Sequence, residues 1–398
     1  MLEGVKVLDL SHVVAGPYAS LYLAMMGAEV IKIENPKTGG DVVRNSGLMV
    51  DDFSVRFCSL NHNKKSIVLD LSSEDGKNLF LELVKKADIV IQNLKPGVMD
   101  KLGIGYERLK EINPKIVYGS ISGFGTYGPY KDLPAYDIVA QSMSGIMWLN
   151  GAEGQPPVKI GASLADMVTG INLVAGILAA LRKAEKTGVG DFVEVSLVDA
   201  LISTLQVDFA GYLNSGTLPI RAGNNYRETS PCGVYPAKDG YYGIGVGSEA
   251  IFYRLAVNVL NKPELPTDPR FCCETARVKN REALDVFLNE WAGKHTVSEV
   301  VDALRAQNIP CAPINTIADV AADEHFAGAR NMFPRYEQAG AGNIRITNLP
   351  LRFHEEGEPE ITSAPRFGEH TQQVMKDELG LDDAQIKALL DRHVIEKA

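Results

Sequence analysis

VKVLDLSHVVAGPYASLYLAMMGAEVIKIE, residues 5–34, reads as strand, turn, helix and strand in thirty positions. VKVLDL is rich in branched apolar residues, PYASLYLAMMG opens on a proline and closes on a glycine, and AEVIKIE returns to the extended pattern. Strand, helix, strand of this length is a βαβ unit, and the text outward from it repeats the theme. KSIVLDL from Lys65, ADIVIQN from Ala87, KIVYGSISG from Lys115 and GVGDFVEVSL from Gly188 are further strands. SEDGKNLFLELVKKA, with serine and acids in front and lysines behind, is a helix between two of them. The fold class expected is α/β, with a mostly parallel, Rossmann-like sheet whose ligands gather at the carboxyl ends of the strands.

The pattern changes after the apolar helix VDALISTLQVDFAGYL. From residue 223 the chain becomes aromatic and glycine-rich, then helical through SEAIFYRLAVNVL and NREALDVFLNEWAGKHTVSEVVDALRAQ. We read 1–205 as the first part of a large domain, 206–325 as a linker and a smaller α+β domain, and 326–398 as a return to the large one. In the tail, ITNLPLRF is expected as a strand and DDAQIKALLDRHVI as a helix.

At 398 residues, with 45% hydrophobic and 23% charged side chains, the composition is that of an ordinary globular protein. A net charge of −10 disfavours a general nucleic-acid binder but leaves room for a local basic site. Cys58, Cys232, Cys272, Cys273 and Cys311 have neither disulfide-framework nor metal-site spacing, which fits a reducing cytoplasm. The opening residues lack a basic and apolar leader, and no uninterrupted apolar run reaches membrane-spanning length, so a soluble, unprocessed, cytoplasmic chain without membrane partners is expected.

Among chemical candidates Asp166 leads. It stands at the front of the long apolar helix in GASLADMVTGINLVAGILAALRKAEKTG, where the helix dipole and free N–H groups are expected to hold it ionised, ready to attack a thioester. The plainer reading of such an aspartate is a helix cap. His12, after the first strand, could face a ligand or simply pack. SHVVAGPYAS has one glycine where a dinucleotide fingerprint needs three, so NAD binding is disfavoured. Arg44, Lys64, Lys65, Lys95 and Lys101 punctuate strand ends and together could neutralise a phosphorylated ligand. GYYGIGVGS, with Gly243, Gly245 and Gly247, could be a mobile flap or a tight bend. No metal-ligand spacing, Walker lysine or serine-hydrolase elbow is present, so no metal is expected.

The order of VLDLSHVVAGP, LAMMGAEVIKIENP, GGDVVR, NHNKKSIVLDL, ADIVIQNLKPGVMDKLG, SISGFGTYGP, AYDIVAQSMSG, ASLADMVTG, APINTIADVAADEHFAGARNMF and APRFGEHTQQVMKDELGL resembles the class III CoA-transferase family, of formyl-CoA and carnitine type, from first strand to last helix. The resemblance implies a large domain built from both chain ends, a small domain between them and an interlocked homodimer. It implies Asp166 as nucleophile, passing CoA from an acyl-CoA to a free carboxylic acid through aspartyl anhydride and aspartyl-CoA thioester intermediates, with the CoA thioester as substrate and no separate cofactor. CoA would lie along Val14, Ala15, Leu69, Asp70, Leu71, Ser72, Asn93, Leu94, Lys95, Lys101 and Tyr136. Some formyl-transferring members carry glutamine where this chain has Val14 and arginine where it has Asn35 and Lys101, which points away from oxalate and formate. The family's α-methylacyl-CoA racemases use a histidine at the position of Tyr136, and a phenol is a poor two-way proton carrier at neutral pH. A racemase, or a non-catalytic acyl-CoA binder in which Asp166 only caps, is the alternative.

Overall fold

The computed structural model describes residues 1–397. The chain divides into two compact units, one of residues 1–146, 160–206 and 324–398, the other of 147–159 and 207–323. Residues 147–159, expected in the N-terminal large segment, therefore leave the first unit for the second and return at residue 160.

In the first unit β1 (Lys6–Asp9), β2 (Glu29–Glu34), β3 (Lys65–Leu69), β4 (Ile89–Gln92), β5 (Val117–Ser122) and β6 (Asp191–Ser196) run parallel in the order β3-β2-β1-β4-β5-β6. The short strand Ile395–Glu396 closes the β3 edge, antiparallel to it. Strands buried on both faces explain the near-continuous apolar runs read in sequence. Leu8, Ile31, Ile67 and Val90 from the strands share one core with Phe80 and Leu83 and with Val374, Met375, Ile386 and Leu389 near the C-terminus. Strand order reverses between β1 and β4, and that switch point is where a doubly wound sheet opens a crevice for ligands.

Three helices position the site: α1 (Ala15–Met25), α2 (Asp137–Met143) and α3 (Leu164–Thr187). α1 is buried nearly all round, so it shows no polar face. By length and composition α3 could cross a membrane, yet in the fold its glycines bring it against protein. A Cβ on Gly170 would stand 2.9 Å from the Ala15 carbonyl oxygen of α1, and one on Gly176 would stand 2.5 Å from Val193 of β6. Gly188, in the left-handed region, terminates α3. The expected strand ITNLPLRF is not one. The chain pairs just before it, Arg335–Gln338 against Gly342–Arg345, and Pro350 then breaks the extended run.

The second unit is built on β7 (Cys232–Pro236), β8 (Tyr241–Gly245) and β9 (Cys311–Pro313), antiparallel in the order β9-β8-β7. Tyr242, Ile244 and Val246 point into a core with Phe252, Phe271, Leu284 and Leu304. Gly243 and Gly245 alternate with them on the other face, each paired to a neighbouring strand. Gly247 lies just beyond, before Ser248, whose hydroxyl caps the helix Glu249–Arg254. An added Cβ at Gly245 or Gly247 meets nothing within 4 Å.

Candidate active site

The turn after β1 sits at the switch point and is held from several sides. The Asn93 carboxamide, after β4, accepts the His12 N–H at 2.9 Å and donates to the His12 carbonyl at 2.7 Å. Asn93 thus holds the neighbouring turn. Val13 follows with φ +70°, a conformation costly for a β-branched residue. Its N–H donates to both oxygens of Asp41, at 3.1 and 3.3 Å. Lys32 and Glu34, alternate residues of β2, share one side of the sheet. Lys32 binds Asp41 at 3.1 Å and the Ser11 carbonyl at 2.6 Å, while Glu34 accepts the Asp41 N–H at 3.0 Å and a two-toothed contact from Arg44 at 2.8 and 2.6 Å.

Beside this turn lies a cavity of ≈ 330 Å³ whose wall includes Ser11, His12, Asn35, Leu69, Leu71, Ser72 and Leu94. Four residues expected to hold CoA are therefore brought together there. Asp70 sits under its rim, accepting from the Ser72 N–H at 2.9 Å and hydroxyl at 2.6 Å and pairing with Lys37 at 3.0 Å. Lys37, not singled out by sequence reading, is exposed at this rim. Burial lowers the pKa of His12, so the ring facing the cavity is neutral at physiological pH.

The strand-end cations divide. Lys64 is fully buried, donating to Asp9 at 3.2 Å, Ser20 at 2.8 Å, Asn61 at 2.9 Å and the Pro17 carbonyl at 2.9 Å. Burial opposes ionisation of Asp9, but the charges of Lys64 and Lys32 outweigh it and bring its pKa to about 2. Arg44 is committed to Glu34 and lies 3.8 Å over the Phe57 ring; Lys65, at the start of β3, pairs with Glu29. These three are structural and cannot serve a phosphate. Lys95 and Lys101 are exposed on the crevice side after β4 and have no ion-pair partner among the described residues.

Asp166 is the third residue of α3, with Ser163 at the cap position making no side-chain cap. Its carboxylate accepts no hydrogen bond from any described residue, so the capping role is not what it performs. The N-terminus is satisfied instead by Asp137, the first residue of α2, which accepts the Ala165 N–H at 2.9 Å and the Gln141 amide at 2.8 Å. Gln141 in turn accepts the Ile160 N–H at 2.9 Å. Asp and Gln four apart on one helix face thus pin the approach to Asp166, and the spacing in AYDIVAQ was the available signal. Partial burial, then the Asp137 charge, raise the pKa of Asp166 to about 6, with Arg56 offsetting part. Above that pH it is ionised, half-buried and unengaged.

The turn 11–15 links cavity and carboxylate. Ser11 and His12 line the cavity, whereas Ala15 touches Gly170, one helical turn below Asp166 on the same face. Val14, buried, is the residue before α1, and Tyr136, exposed, immediately precedes Asp137. Asp166 itself is not on the cavity wall. Among the described residues no group of three or more His, Cys, Asp or Glu converges as a metal site.

The chain is similar to known proteins over nearly its whole length. The profile described as CoA-transferase family III matches residues 2–371. The chain is 37% identical over 369 residues to an acetyl-CoA:oxalate CoA-transferase of Acetobacter aceti, covering 92% of this chain and 93% of that protein. It is 32% identical over 396 residues to a succinyl-CoA:glutarate CoA-transferase of Mus musculus, covering 100% and 90%. The crystal structure of a CaiB/BaiF family protein from Brucella suis superposes with a TM-score of 0.83 at 36% identity, covering 95% of this chain and 99% of that one. With match and fold both spanning nearly its whole length, the chain belongs to CoA-transferase family III and is a CoA-transferase.

Proposed function

We propose that Asp166 carries CoA from an acyl-CoA donor to a free carboxylic acid. An Asp166 oxygen attacks the thioester carbonyl, the C–S bond breaks, and CoA thiolate leaves an aspartyl-acyl anhydride. The thiolate attacks the aspartyl carbonyl and expels the donor acid, giving aspartyl-CoA thioester. The acceptor carboxylate attacks that thioester and frees CoA thiolate, which then takes the acceptor acyl group and returns Asp166 as carboxylate. No net proton is required, and the thioester's energy is kept as long as water is excluded. The observation that carries this reading is the unengaged carboxylate on the third residue of α3, ionised above about pH 6 while Asp137 does the capping.

In this reading CoA occupies the cavity at the ends of β1, β2 and β3, with Lys37, Lys95 and Lys101 around its phosphates and the turn 11–15 guiding the thioester toward Asp166. Relatives named for oxalate and for glutarate make short dicarboxylates the first acceptors to test, glutarate ahead of oxalate because Val14, Asn35 and Lys101 point away from oxalate. A second copy of the chain is inferred to cover the helix Gln206–Ser215, which buries none of its residues and leaves Val207 and Leu213 exposed.

Incubation with acyl-CoA followed by hydroxylamine, with mass spectrometry of the Asp166 peptide, tests the assignment. A hydroxamate at Asp166, absent in Asp166→Ala, supports it. An unmodified peptide, or rapid α-deuterium exchange of a 2-methylacyl-CoA, overturns it in favour of the binder or racemase.

A further inference from the structure

GGDVVR, residues 39–44, has no part in the chemistry above, yet its aspartate is one of the most fully engaged groups in the first unit. Asp41 is buried, accepts the Val13 N–H with both oxygens, accepts the Val43 N–H at 3.2 Å and is paired with buried Lys32 at 3.1 Å. Its own N–H is held by Glu34, itself fixed by Arg44 and by the Ser66 hydroxyl at 2.6 Å. The residue all this converges on is Val13, at φ +70°. A valine leaves that region readily unless its surroundings over-determine it. The next residues, Val14 and Ala15, open α1 and meet α3 one turn below Asp166.

We propose that Asp41 is a positioning residue for CoA transfer: paired with Lys32, it clamps Val13 in the left-handed conformation and so fixes the turn 11–15 against the helix bearing Asp166. The inference rests on the reading that this turn guides the thioester. It predicts a defect in turnover together with one in binding, because Asp41 stands on the cavity wall and the turn it fixes supplies Ser11 and His12 to that wall. It also predicts a specific cure, since glycine holds positive φ without a clamp.

The test is steady-state CoA transfer by the full-length enzyme and its Asp41→Ala, Asp41→Asn, Val13→Gly and Asp41→Ala/Val13→Gly variants, with melting curves recorded for each. Asp41→Ala is expected to lower kcat about 10- to 100-fold and, because it strips a side chain from the cavity wall, also to raise KM for acyl-CoA. Asp41→Asn, which keeps an acceptor oxygen for the Val13 N–H, should lose less. Val13→Gly should lower kcat less than Asp41→Ala does, and the double variant should recover most of the kcat lost in Asp41→Ala, although it does not restore the Lys32 pair. A folded Asp41→Ala enzyme with wild-type kcat, or a folded double variant no better than Asp41→Ala, overturns the proposal. If Asp41→Ala does not fold, amide exchange of Val13 in the intact enzyme decides: slow exchange supports the clamp, exchange at open-loop rates overturns it. Asp166→Ala, assayed in parallel, reads the nucleophile assignment separately.

Discussion

The Asp137 carboxylate accepts the Ala165 N–H at 2.9 Å, so that one acid caps the helix whose next residue, Asp166, is another acid left unengaged. Capping and chemistry are thereby divided between two side chains. The division also sets the acidity of Asp166: burial and the Asp137 charge raise its pKa to about 6, and Arg56 opposes them.

If an ionised Asp166 starts the reaction, kcat/KM falls as pH drops through about 6. Removing the Asp137 charge with Asp137→Asn, which keeps an acceptor for the cap, should move that acid limb to lower pH. Arg56→Gln should move it to higher pH. Full pH–rate profiles of both variants check this, and shifts in the same direction would exclude Asp166 as the titrating group.

Ionising a half-buried carboxylate weighs against folding. Because the folded pKa lies above the ordinary 3.8, the favourable contribution of protonated Asp166 is complete below about pH 4 and lost as pH rises through about 6. Asp166→Asn should therefore be inactive yet more stable than wild type at pH 8, by about 1 kcal/mol after solvent screening. Melting temperatures from pH 4 to 8 measure it, and the gap between the two proteins should close toward pH 4.

Lys64 and Lys101 look alike in sequence but should fail differently. Lys64→Met leaves the buried Asp9 without its ion-pair partner and should cost about 3–5 kcal/mol of stability in urea unfolding. Lys101→Ala should leave stability within about 0.5 kcal/mol and raise KM for acyl-CoA several-fold with kcat unchanged. A Lys64→Met protein of normal stability would mean that the pair contributes little.

What can be read from the sequence is what local pattern controls. The strands at Val5, Ala28, Lys65, Ala87 and Lys115 and the start of the helix at Asp166 are short-range signals, and the structure places them where they are expected. Lys64 and Arg44 look like free cations in sequence because their partners, Asp9 and Glu34, are found only once β1, β2 and β3 are side by side. Nothing in a valine announces positive φ, so Val13 and its Asp41 clamp carry no sequence signal. The glycines at 243 and 245 are legible after all: Tyr242, Ile244 and Val246 alternate with them at period two, which is a strand with one face stripped bare.

Gly170 offers the sharpest test of how α1 and α3 place Asp166. A Cβ there would stand 2.9 Å from the Ala15 carbonyl oxygen and 3.1 Å from the Tyr18 ring, and both lie on a helix buried in the core. Backbone cannot yield as the tip of a long side chain can, so Gly170→Ala must push α3 and α1 apart at the level just below Asp166. Overpacking of this kind costs about 1–3 kcal/mol. Since the displaced turn 11–15 and the carboxylate move relative to one another, kcat should fall further than the modest stability loss explains, and KM for acyl-CoA should rise because Ser11 and His12 of that turn line the cavity. Gly245→Ala, whose added carbon meets nothing within 4 Å, is the matched control for a glycine-to-alanine change and should melt as wild type does. Unchanged kcat in a folded Gly170→Ala enzyme would show that the spacing of α1 and α3 does not govern the position of Asp166.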